Sequence, residues 1–173
     1  IKTFDFKSIA LECPETYVNI MEDYLKGNES RNILTSSIPD GRISLEMLKM
    51  LKELLQENIL QKIVYIDTYT PKNGKMDWNL RDRLMAETLI EYSKLKIPTL
   101  IIAGNMHTRK NSFIDTFSGK ERIPMGVHLK NHFKDFPLIY IYYKKGTFYN
   151  FGVQELPKKD FENSLEILHK KNL

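Results

Sequence analysis

Three short apolar runs, Ser8-Ile-Ala-Leu-Glu12, Lys62-Ile-Val-Tyr-Ile-Asp67 and Thr99-Leu-Ile-Ile-Ala103, are separated by stretches of helical periodicity. That alternation constrains the fold more than any other feature of the chain. Apolar runs of this length, rich in β-branched residues, read as buried strands. Strands that alternate with amphipathic helices build a parallel sheet covered by helices, because a parallel pair needs a crossover connection. The expected class is therefore α/β, with a mainly parallel sheet flanked by helices. The 173 residues suffice for a single domain with a buried core, spanning 1–173. Because it begins at Ile1, that domain reads as the later part of a longer chain or as one that has lost a leader. No signal peptide is visible, which leaves the compartment open, with the cytoplasm as the default.

The helices are marked by their ends. Pro14 fits a first turn, so a helix is expected from 15 to about 26, stopped by Gly27-Asn28. Ser44 can cap a second helix, in which Met47, Leu48, Leu51, Leu54 and Leu55 form one apolar stripe. Asp77 can cap a third, lasting until about 96, with Trp78, Met85, Leu89 and Tyr92 on one face and Arg81 and Asp82 at its edges. Pro124 opens a fourth through about 133, and 160–171 reads as a last helix. The stretches 28–42 and 109–123 are polar and read as long loops, the first as a candidate lid. Two strands, 138–143 and 147–153, parted by Lys145-Gly146, make a C-terminal antiparallel hairpin.

Charge and composition exclude several classes. The formal charge is +4, but 26 basic residues are interspersed with 22 acidic ones, which argues against a nucleic-acid footprint. No apolar stretch is long enough to span a membrane. Cys13 is the only cysteine, so neither an intrachain disulfide nor a thiolate metal cage can form, and it reads as a small buried residue. His128 and His132 stand four apart on a predicted helix, where two surface histidines are expected.

The candidate chemistry lies at the strand exits. Ligands of open α/β sheets bind beyond the carboxyl ends of the strands. If the three strands are parallel, Glu12, Asp67 and the His107 that follows Ala103-Gly-Asn-Met open onto one rim. Two acids and an imidazole there suit a general base, a metal ligand, or both. Arg81, at the edge of a buried face, needs an anionic partner: Glu12, Asp67, Asp82 or a substrate.

Arg81-Asp82-x-x-Met85-Ala86, then Ala103-Gly104-Asn105-Met106-His107, then Met125-Gly126-x-x-Leu129, resembles in order and spacing the erythromycin esterase/ChaN-like (haem-uptake, Tiki-like) superfamily. The likeness runs from about Ile9 to Gly152. It implies a parallel α/β core with a deep cleft, the strand-end glutamate on Glu12, the arginine on Arg81 and the second histidine on His107. Asn105 would orient the turn, Gly126 would let backbone approach ligand closely, and Asp67 and Arg42 join the substrate-binding candidates. The family's first Gly-x-x-His segment would precede Ser8. Gly104 stands where the esterase branch has histidine.

Two functions follow as expectations. In the first the protein is a hydrolase: His107 and Glu12 activate water, directly or on a divalent metal they ligate, and Arg81 steadies the oxyanion. In the second, it binds haem or another anionic small molecule without catalysis, with Tyr140, Tyr142, Tyr143 or Tyr149 as axial ligand or aromatic wall. Both make a small molecule the partner.

Overall fold

The computed structural model describes residues 5–28, 44–134 and 136–139, with the backbone of two short strands at 147–149 and 153–155. The α/β class is as expected. Strand β1 (Ser8–Pro14) lies between β2 (Lys62–Asp67) and β3 (Thr99–Ile102), parallel to both. Ser8 is level with Lys62 on one side and Thr99 on the other, so the three carboxyl ends finish together.

From β1 the chain passes outward to β2 through α1 (Glu15–Leu25) and α2 (Leu45–Gln56). It then returns over β1 to β3 through α3 (Trp78–Ser93). Reversing the winding direction while keeping one crossover hand puts the two sets of helices on opposite faces. The side chains agree with this. Ile9 and Leu11 point to one face, in a core with Met21, Leu48, Leu51 and Ile63. Ala10 points to the other, with Val64, Ile66, Met85, Leu89 and the Met125 and Leu129 of α4 (Met125–Phe133). Successive strand residues alternate sides, so one all-apolar strand serves two cores. Cys13 is fully buried against Met21, its Sγ 3.3 Å from Sδ.

The predicted caps form. Ser44 Oγ accepts from Met47 N at 3.1 Å, and Asp77 Oδ1 accepts from Leu80 N at 3.0 Å. Pro14 is the N-cap of α1, and Gly27 ends the turn beyond it at φ +88°. The third helix stops at Ser93, short of the expected 96, where Lys96 is already left-handed at φ 55°.

Two stretches differ from expectation. The loop 109–123 holds a two-residue antiparallel pair, β4 (Phe113–Ile114) with β5 (Glu121–Arg122). Asn79 fastens it to α3: Nδ2 donates to Glu121 O and Oδ1 accepts from Ile123 N, both at 3.0 Å. The C-terminal antiparallel pair is present but differently framed: β6 (Thr147–Tyr149) pairs with β7 (Val153–Glu155), so 147 and 153 belong to two partner strands rather than to one. Positions 29–42 of the expected lid 28–42, strand positions 140–143 and helix 160–171 lie outside the described residues. Among the described residues no helix is long and apolar enough to cross a membrane.

Candidate functional site

The site forms where the winding reverses, between the ends of β1 and β3. Glu12 leaves the end of β1, Asp67 is the last residue of β2, and the turn after β3 carries His107. The first turn of α3 sets Arg81 and Asp82 beside them, about 100° apart around the helix axis, so the two neighbours face different partners. Arg81, 4% exposed, turns to the sheet. Its Nε and Nη2 donate to the two oxygens of Asp67 at 3.0 and 2.7 Å, a bidentate fork, and Nη2 also donates to Glu12 Oε1 at 2.7 Å. Its Nη1 lies 3.1 Å from His107 Nε2. Asp82 turns the other way, where its Oδ1 stands 2.8 Å from His107 Nδ1 and accepts from Met125 N at 2.7 Å.

This network fixes the histidine. A guanidinium only donates, so Nε2 is the acceptor and the neutral ring carries its hydrogen on Nδ1, donated to Asp82. Glu12 Oε1 waits 3.4 Å from Nε2, and its Oε2 accepts the Gly104 N–H at 2.7 Å. Burial alone would lower the Arg81 pKa. The hydrogen bonds to Asp67 and the charge of Glu12 outweigh it and hold the group above its ordinary range, so it is a permanent cation. One guanidinium thus faces two buried carboxylates, Glu12 and Asp67, while the third, Asp82, is held by His107 and Met125 N.

His107 and Asp82 are the members of this cluster that reach solvent space. They form one wall of a cavity of about 170 Å³, whose other walls are Trp78, Met106, Phe113, Arg122 and Pro124. Arg81 and Glu12 stand behind the imidazole. The short β4–β5 pair supplies Phe113 and Arg122, and Arg122 is held by Asp115: Nε and Nη2 donate to its Oδ2 at 3.0 and 2.8 Å. The Phe117 N–H and then Arg122 pull the Asp115 carboxyl down to about 2. A carboxyl held low contributes stability above its unfolded value and loses that contribution as the pH falls through its folded one. The Asp115 side-chain NMR signal is therefore expected to titrate with a midpoint near 2. A midpoint at the ordinary carboxylate value would mean the clamp is open in solution.

The expected residues fare differently. Glu12, Asp67, Arg81 and His107 converge, as the strand-exit argument required. Arg81 takes Asp67 and Glu12 as partners and leaves Asp82 to His107. Asp67, read as substrate-binding, is 4% exposed with both oxygens on Arg81. The Asn105 side chain is exposed, and its carbonyl accepts from Thr108 Oγ1. Arg42 lies outside the described residues, as do Tyr140, Tyr142 and Tyr143. His132 is exposed as expected, whereas His128 is half-buried, its Nε2 enclosed between α4 and its neighbours. Asp82, Trp78, Phe113 and Arg122 were not anticipated as site residues. The available signal was Asp82 at the edge of an apolar face.

Gly126 does allow a close approach, but to the protein's own backbone. A Cβ there would sit 2.5 Å from both the Thr108 and Arg109 carbonyl oxygens, and its N–H donates to His107 O at 2.8 Å. Gly126→Ala must push α4 off the His107 turn, with an expected loss of about 1–3 kcal/mol in chemical denaturation. An unchanged midpoint would show that the turn yields freely.

A divalent metal does not fit the Glu12–His107 pair. Both would-be ligand atoms are hydrogen-bonded by Arg81, whose fixed charge a second cation would have to displace. Among the described residues no cluster of three or more His, Cys, Asp or Glu is arranged to hold a metal ion. The 170 Å³ cavity is likewise below the roughly 300–1,000 Å³ of pockets that enclose larger ligands, and haem is larger than that hollow can enclose.

Fold and site together define a doubly wound α/β domain with a buried acid–arginine–histidine cluster at its switch point. No family model matches the chain, and neither the curated proteins nor the solved structures contain a match to it.

Proposed function

We propose that the protein is a hydrolase in which His107 is the general base, the function its likeness to the erythromycin esterase/ChaN-like superfamily implies. The observation that carries this reading is His107 itself, held between Asp82 and Arg81 and turned toward a cavity. Taking several charges out of water costs several kcal/mol per ion, and such clusters are seldom the cheapest way to stabilise a core. This one surfaces at the His107 imidazole and its partner Asp82 beside an apolar hollow, which supports a chemical role.

The hydrogen-bond geometry suggests the sequence of events. Arg81 Nη1 must first release the Nε2 lone pair that it holds at 3.1 Å; water then attacks the substrate carbonyl carbon and gives its proton to the freed Nε2. Nε2–H and the Arg81 Nη1–H cannot point at each other, so Nη1 stays turned away, and the guanidinium acts on the oxyanion by its charge from behind the ring rather than by contact. Glu12 Oε1, 3.4 Å away, takes over as acceptor for Nε2–H, while Asp82 keeps Nδ1–H. On collapse the imidazolium returns its proton to the leaving oxygen or nitrogen, and the first arrangement is restored.

The test is release of phenol from phenyl acetate and of aniline from acetanilide. Glu12→Gln keeps the shape but replaces a charge-assisted bond by a neutral one. It should lower kcat about tenfold, with KM little changed because Glu12 does not line the cavity. Rates equal to buffer for both substrates would overturn the reading.

A further inference from the structure

We infer that the hollow beside His107 is a recognition slot for one compact, uncharged apolar group about the size of a six-membered ring. As a statement about substrate this rests on the hydrolase reading; as a statement about binding it stands alone. Three observations support it. The first is size: an apolar cavity of about 150 Å³ takes up benzene, and this one is about 170 Å³. The second is surface chemistry. Trp78, Met106, Phe113 and Pro124 give the hollow an apolar lining, and Trp78 and Met106 are partly exposed, which leaves a way in. Methionine at the rim adapts to ligands of different shape.

The third is charge. The wall's cation, Arg122, is already engaged by both its bonds to Asp115 and lies 4.8 Å over the Trp78 ring. The lining also includes the Asp82 carboxylate. A ligand carboxylate entering here would lose its water and meet a like charge with no unpaired cation on the described wall to offset it. A neutral ring loses nothing and covers apolar surface. The slot therefore sorts ligands by charge as well as by size. Under the hydrolase reading, it holds the ring of an uncharged ester or amide while the scissile carbonyl faces His107.

The chain's single tryptophan, Trp78, lines the slot, so one indole N–H cross-peak reports on it. Titration with benzyl alcohol should shift that peak saturably, with a Kd on the order of 1 mM for so small a ligand. Benzoate, of the same shape, should bind at least about tenfold more weakly. Met106→Lys places a cation on the exposed rim and should bring benzoate to at least the affinity of benzyl alcohol. Absence of a saturable shift with benzyl alcohol, or equal binding of benzoate to the unaltered protein, would overturn the inference. Competitive inhibition of phenyl acetate turnover by benzyl alcohol would support its substrate form. Turnover unaffected by bound benzyl alcohol would overturn that form. Saturable binding without any turnover would leave the slot standing and remove the hydrolase reading instead.

Discussion

Arg81→Ala is expected to destabilise the protein by about 3–5 kcal/mol, the cost of removing one partner from a buried charge cluster. The guanidinium satisfies both oxygens of Asp67 and one of Glu12, and all three side chains are less than one-tenth exposed. Alanine leaves these carboxylates in a space that small side-chain motions cannot fill. For a chain of this length about 2–4 °C in Tm accompanies each kcal/mol, so thermal denaturation followed by circular dichroism should show a drop of roughly 6–20 °C. Arg81→Lys should recover less than half of it, since an ammonium cannot reproduce the planar fork that bridges β1 and β2. A loss below about 1 kcal/mol would mean that water already reaches the cluster, contradicting its burial.

The same residue shows what could be read from the chain alone. Three apolar runs implied three strands because a strand buried on both faces needs no alternation, and here each run supplies two cores. The common rim followed from parallel pairing, and with it the meeting of Glu12, Asp67 and His107. Which acid Arg81 would choose did not follow. Adjacent helix positions diverge by about 100°, and only the placement of α3 over the sheet decides that 81 meets β1 and β2 while 82 meets the His107 turn. Two-residue strands such as β4 and β5 carry no periodicity to detect, so the cavity wall they build was invisible. The hairpin between β6 and β7 shows a related failure: Lys145-Gly146 is as good a turn signal as the Asn150-Phe-Gly152 that lies between the paired strands. Glycine roles also needed coordinates. A Cβ at Gly104 would stand 3.3 Å from Glu12 Oε2, so this residue keeps space for a carboxylate that is distant in sequence.

His107→Ala should lower turnover of phenyl acetate by about 10²- to 10⁴-fold, the usual contribution of a positioned general base, with little change in fold. The ring is held at the cavity wall rather than inside either apolar core, and Asp82 keeps its bond to Met125 N without it. A far-ultraviolet spectrum and a melting transition close to those of the unaltered protein should accompany the loss. Asp82→Asn preserves the shape of the acceptor at Oδ1 but removes the negative charge that faces the imidazolium at 2.8 Å. It should therefore reduce kcat by about 10- to 100-fold, and the loss should appear in kcat rather than KM. The two effects should not multiply. If Asp82 acts only through the ring it orients, the double variant will be no slower than His107→Ala alone, because the carboxylate then has no imidazolium to stabilise. A double variant slower by the product of the single losses would mean that Asp82, which also lines the cavity, reaches the substrate itself. The two groups would then act independently, the acid on the substrate and His107 as base, and Asp82 would not be a positioning residue.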